Sequence, residues 1–144
     1  MLAFNDVADV LGIPAKEAAA RSPLGLMSRI EDGLPLRALE RVAQLLSPGD
    51  TQFKYRLVPK ATYDRRKGKA LPLSSDEGTR LARVARVWSL ALDVWQTDAD
   101  ARDFLFRSHP MLEDRRPIDV VIANEIGAEL VLEILSRLKY GSAA

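Results

Sequence analysis

Apolar residues recur along this chain at intervals of three and four, the spacing of one face of an α-helix. Between residues 35 and 46 that face is Leu36, Leu39, Val42, Ala43 and Leu46. Pro35 suits a first turn, where a missing N–H removes no intrahelical bond. Ser47-Pro48-Gly49-Asp50 ends the helix and offers a cap to the next one. Residues 51–58 and 60–68 read as two short helices around a tight turn, with Pro59 opening the second. Leu71-Pro72-Leu73 is a linker, and Ser74 with Glu77 forms the S-x-x-E of a capping box. A long helix over 76–96 carries the stripe Leu81, Val84, Trp88, Leu92 and Trp95. Asp98 is read as the cap of a short helix through Ala101, Phe104 and Leu105.

Ser108-His109-Pro110 interrupts the pattern, and 109–117 reads as a polar loop bounded by prolines. A short helical turn is expected over 117–121. Asn124 then caps a last helix from Glu125 to Lys139, in which Ile126, Leu130, Ile134 and Leu138 recur at i+4, flanked by Val131 and Leu135. A helix apolar on two sides predicts burial against two neighbours, one of which fits a partner protein. Gly141 suits the position past the helix end, and Ser142-Ala143-Ala144 reads as a frayed tail. Toward the N-terminus, Val7, Val10 and Leu11 predict a helix ending at Gly12, with further helices over 15–21 and 24–30. No segment alternates as a strand does, so the fold class is all-α, a helical bundle.

Composition narrows the chemistry. The chain has 144 residues, enough for one domain or two small ones, and no Cys. Disulfides, thiolate metal sites and a Cys nucleophile are excluded, which fits a reducing cytoplasm. A single histidine, His109, excludes a His dyad and a multi-His metal site. The glycines are dispersed, so no phosphate-cradling loop is present. Glu113 and Asp114 adjoin Arg115 and Arg116, a mixed run that reads as solvated loop charge. No catalytic residue, cofactor site or metal site is assigned, and no enzyme activity is expected. No apolar run is long enough for a transmembrane helix, and the first residues lack the basic start of a signal peptide.

The formal net charge is only +1, but it is unevenly placed. Residues 51–70 hold seven basic groups and one acidic, a net +6, while residues 1–50 and 71–144 are −2 and −3. A short helix, a tight turn and a second helix bearing Lys60, Thr62, Tyr63, Arg65, Arg66 and Lys67 make a helix-turn-helix pattern. Arg and Lys neutralise phosphates, and Arg also reads guanine edges. Thr and Tyr contact bases or the sugar-phosphate. A solvated basic face is the competing reading. Such turns often carry Gly where this chain has Leu57. The segment Val7–Lys16 also mimics such a turn, but is read as local packing. Trp88, Trp95, Phe104 and Phe106 are read as core.

Several stretches resemble one family. Gly33-Leu34-Pro35-Leu36-Arg37-Ala38-Leu39-Glu40-Arg41 and Pro59–Lys67 are similar to the opening helix and recognition segment of an Xre-like region. Leu73-Ser74, Glu77, Arg80-Leu81 and Arg83-Val84 match the helix after it. Arg116-Pro117-Ile118-Asp119, Gly127-Ala128 and Arg137-Leu138-Lys139-Tyr140-Gly141 resemble the toxin-binding domain of MbcA/ParS/Xre antitoxins. The resemblance implies an antitoxin that binds a RES-domain, NAD-using toxin and occludes its active site. It also implies operator DNA as a second partner, a homodimer, and no cofactor of the chain's own. Carried over by position, Arg116, Pro117, Asp119, Gly127, Arg137, Tyr140 and Gly141 are the motif residues; Arg137, Lys139 and Tyr140, polar and near the end of the sequence, are the leading toxin contacts, with Arg116, Asp119 and Gly141 assigned to the same surface. The expected division is an N-terminal helical segment at 1–34, the Xre-like region at 35–96 and the toxin-binding domain at 97–144. The alternative is a stand-alone helix-turn-helix regulator with a C-terminal dimerisation domain.

Overall fold

The computed structural model describes residues 4–141; the tail 142–144 lies outside them. Among the described residues the regular elements are helical: α1 (Phe4–Leu11), α2 (Pro23–Asp32), α3 (Leu36–Leu46), α4 (Lys54–Leu57), α5 (Lys60–Gly68), α6 (Ser75–Trp95), α7 (Asp98–Phe106), α8 (Pro117–Ala123) and α9 (Glu125–Tyr140). Single 3-10 turns occupy Ala18–Arg21 and Pro110–Leu112. The chain divides into two compact units between Ala85 and Arg86, inside α6.

In unit 1, α1 packs on α3, burying Val7, Ala8 and Leu11 against a face made of Leu39, Val42 and Leu46. Arg41 of α3 donates from Nε to the carbonyls of Asp9 and Val10, both at 3.2 Å, satisfying the open end of α1. With Ile13 also buried, the segment Val7–Lys16 packs. The helix expected over 15–21 contracts to the 3-10 turn Ala18–Arg21. Its cause is Ser22, whose Oγ accepts from the Gly25 amide at 3.1 Å to cap α2, so the chain must already have turned there.

The capping box forms in both directions. The Ser74 amide donates to Glu77 Oε1 at 2.8 Å, and the Glu77 amide to Ser74 Oγ at 3.2 Å. Two otherwise open donors at the start of α6 are thereby satisfied.

Unit 2 holds the second half of α6 with α7, α8 and α9. Its core includes Trp88, Leu105, Ile118, Val121, Val131 and Leu135. Thr97, not Asp98, caps α7: its hydroxyl accepts from the Asp100 amide at 3.2 Å. Asp98 becomes the first helical residue, where its charge meets the positive end of the helix dipole. The loop after α7 is more ordered than its polarity predicts. Leu112 is buried within a 3-10 turn, and His109 and Arg115 form an isolated antiparallel bridge. Asn124 caps α9 by accepting from the Gly127 amide at 2.9 Å. A Cβ at Gly127 would stand 2.0 Å from the Val120 carbonyl oxygen, so α8 and α9 approach backbone to backbone.

The aromatic group expected as core divides. Trp88 and Phe104 are buried, Phe106 is half-buried, and Trp95 is 36 % exposed at the end of α6. His109 is satisfied by its Nε2, 2.9 Å from the Phe104 carbonyl.

Candidate functional site

The basic segment is set up by the turn before it. Asp50 Oδ1 accepts from the Gln52 amide at 2.9 Å and directs the chain into α4. The turn to α5 runs through Leu57-Val58-Pro59, with Val58 extended at φ −137° and Pro59 at φ −53°. No residue of this turn has a positive φ, so Leu57 carries no strain in the place where glycine is common. Leu57 and Val58 are instead buried, and the Leu57 carbonyl accepts from Arg80 of α6 at 2.7 Å. Apolar burial and one charged hydrogen bond hold the two helices at this turn.

The six basic-segment candidates then separate by role. Lys60, Arg65 and Lys67 are exposed and Thr62 is half-buried. Lys60 pairs with Asp64 at 2.8 Å, and that hydrogen bond raises its pKa. Arg65 has no ion-pair partner among the described residues. Arg66 faces inward: Nη2 donates to Glu77 Oε2 at 3.3 Å and Nη1 to the Pro72 carbonyl at 3.4 Å. Its Nε stands 2.8 Å from Glu77 Oε1, close in charge but not aimed along a hydrogen bond.

Tyr63 is 2 % exposed, its hydroxyl donating to Glu40 of α3. Burial first, and then this bond, push its pKa up from 10.0 to about 12. The Lys54 ammonium stands 4.4 Å from the Tyr63 ring centre. Tyr63 and Arg66 thus seat the helix, while Lys60, Arg65 and Lys67 face outward. Arg80, Glu40 and Lys54 escape sequence reasoning, because their partners lie on other helices.

In unit 2 the candidates form two groups. Arg116 and Asp119 close the start of α8 on each other through two bonds of 2.9 and 3.0 Å. The hydrogen bond to Asp119 raises the Arg116 pKa. Arg137, Lys139, Tyr140 and Gly141 cluster at the end of α9. Arg137 pairs with Glu133 and Lys139 with Asp93 of α6, whose hydrogen bond raises the Lys139 pKa. Tyr140 is 63 % exposed. Gly141 sits at φ +79°, returns its amide to the Arg137 carbonyl at 2.8 Å, and has open space where a Cβ would lie.

Periodicity predicts an α9 with two apolar sides, one against the fold and one suited to a partner protein, and unit 2 covers the first of them. Ala128, Val131, Leu132 and Leu135 form the core side with Ile134 at its edge, while Ile126, Leu130 and Leu138 are exposed. Among the described residues no group of His, Asp or Glu could hold a metal ion, and no helix is long and apolar enough to cross a membrane.

Two family models match. Residues 25–86 match the antitoxin Xre-like helix-turn-helix domain. Residues 90–141 match the antitoxin Xre/MbcA/ParS C-terminal toxin-binding domain. The chain belongs to the Xre/MbcA/ParS antitoxin family. A search of curated proteins finds no match. The two matched domains make the chain an antitoxin with a toxin partner. In this antitoxin, α4 and α5 lie in the helix-turn-helix match, and α7 to α9 in the toxin-binding match.

Proposed function

We propose that this antitoxin neutralises a RES-domain toxin in the cytoplasm by steric occlusion, the last turn of α9 and the residues after it entering the cleft where the toxin handles NAD. NAD chemistry then belongs to the toxin, and the antitoxin supplies bulk and charge. The observation that carries the reading is the end of α9. Arg137, Tyr140 and Gly141 are exposed there, on a helix anchored through Val131 and Leu135. Lys139, held on Asp93, fixes a cation beside Tyr140, 5.2 Å from its ring centre. Arg116 and Asp119, locked to each other, serve as a second contact at the start of α8.

Removing residues 137–144 tests this. The α9 core stays, so the fold should survive, and the truncated chain should no longer restrain NAD consumption by the purified toxin. Full inhibition by the truncated chain would sink the occlusion reading.

The helix-turn-helix part supports a second role, repression of the antitoxin's own operon, as in type II systems. Lys60, Arg65 and Lys67 would meet phosphates and bases, with Thr62 at the margin. A homodimer would present two such helices to an operator with two half-sites. Arg65→Ala should lower DNA affinity and reduce its salt slope by about one. An unchanged slope in a gel-shift titration would count against the surface.

A further inference from the structure

A cleft of about 430 Å³ opens on unit 2, between α7, the 109–112 turn and the end of α9. Trp95, Phe104, Met111 and Leu138 line it, with Asp100 and the Asp103–Arg107 pair among its polar groups. The Trp95 and Phe104 rings are 5.7 Å apart and form one wall. Met111 is 61 % exposed and Leu138 51 %. Leu138 also continues the open stripe of α9 that begins at Ile126 and Leu130. The aromatic wall and the exposed Met111 and Leu138 give an apolar side chain of a partner a place to anchor, with charge at the rim.

The charges around the cleft say what kind of side chain comes with it. Asp93 is paired with Lys139, Asp98 with Arg102 and Asp103 with Arg107. Asp100, on the cleft, has no ion-pair partner among the described residues. Residues 86–144 carry ten acidic and seven basic groups. An occupant that brings a positive charge is therefore attracted. A second copy would bring the same acidic surface against its own image, because a twofold interface is self-complementary. Nucleic acid and anionic lipid are disfavoured by the same sign.

We propose that this cleft receives from the toxin an apolar side chain flanked by a lysine or arginine. The apolar group enters between Trp95, Met111 and Leu138, and the cation meets Asp100. The inference rests on unit 2 being the toxin-binding part of an antitoxin, and is independent of the toxin being a RES protein.

The test titrates full-length antitoxin with the toxin encoded in its own operon, by calorimetry at low and high salt. The double variant Met111→Ser with Leu138→Ser should raise Kd by about tenfold or more. Asp100→Lys should raise it by a similar factor and reduce the weakening that salt causes in the wild type. Thermal midpoints should stay near wild type for the double variant, whose side chains are exposed, and fall slightly for Asp100→Lys, which reverses a favourable charge in the first turn of α7. Kd within about twofold of wild type for the double variant overturns the proposal. So does tighter binding by Asp100→Lys, or a changed antitoxin oligomer with toxin affinity intact. A toxin that lacks the RES fold would refute the NAD-cleft reading and leave this titration decisive for the antitoxin's own cleft.

Discussion

Helices α5 and α9 each end a compact unit's functional segment, but they expose opposite chemistry. On α5 the one large aromatic ring, Tyr63, is buried and the exposed positions carry Lys60, Arg65 and Lys67. On α9 the charges are largely paired along the helix or with α6, and the exposed positions include Ile126, Leu130 and Leu138. A helix that leaves charge outward suits a charged polymer, whose counterions supply the driving force. A helix that leaves apolar surface outward suits a protein partner, where burying that surface does. The same chain thus holds two surfaces that need not compete for one ligand.

The largest expected effect sits under the second surface. Gly127→Ala places a Cβ against the Val120 carbonyl at 2.0 Å, and α8 and α9 must separate. We expect a loss of about 3 kcal/mol, at the upper end for overpacking, with hydrogen exchange quickening across α8 and α9. Unchanged exchange there would show that the approach is not tight.

Next comes the division of labour within α5. Arg66→Ala should cost about 1.5–3 kcal/mol, because it strips a partly buried charged hydrogen bond from Glu77. Arg65→Ala should stay within about 0.5 kcal/mol of wild type while losing DNA affinity. Chemical denaturation of the two variants would erase the distinction if their midpoints coincide.

A pH series sharpens the seat of α5. The folded pKa of Tyr63, about 12, lies above its ordinary 10.0, so folding favours the protonated hydroxyl. That stabilisation is complete below pH 10 and is lost as pH rises toward 12. Tyr63→Phe, which cannot ionise, should flatten the fall in stability across that window. An equally steep fall in the variant would assign the slope to other groups.

The smallest effect is Asn124→Ala, which removes the cap of α9 and should cost about 1 kcal/mol. A midpoint unmoved in thermal denaturation would mean that α8 alone holds the start of α9.

How far these surfaces are legible depends on the reach of each interaction. Ser74 with Glu77 and Asn124 with Gly127 act across three residues, and the spacing alone reveals them. Arg66 reads in sequence as a DNA contact because its partner lies eleven residues on, beyond a turn. Tyr63 reads the same way, and its partner Glu40 lies on another helix. On α9 the large residues at i+4 look like the core stripe. The buried face is the one with Gly127 and Ala128, because small residues decide where two backbones can meet. Thr97 and Asp98 are adjacent cap-forming residues, and pattern alone does not choose between them.

The central claim, that unit 2 meets the toxin through α9 while α5 is left for DNA, is tested most directly by hydrogen exchange of the antitoxin with and without its toxin. Protection should rise over residues 130–141 and around the Trp95 cleft, and stay unchanged over α5. Protection gained over α5 with none on α9 would contradict it.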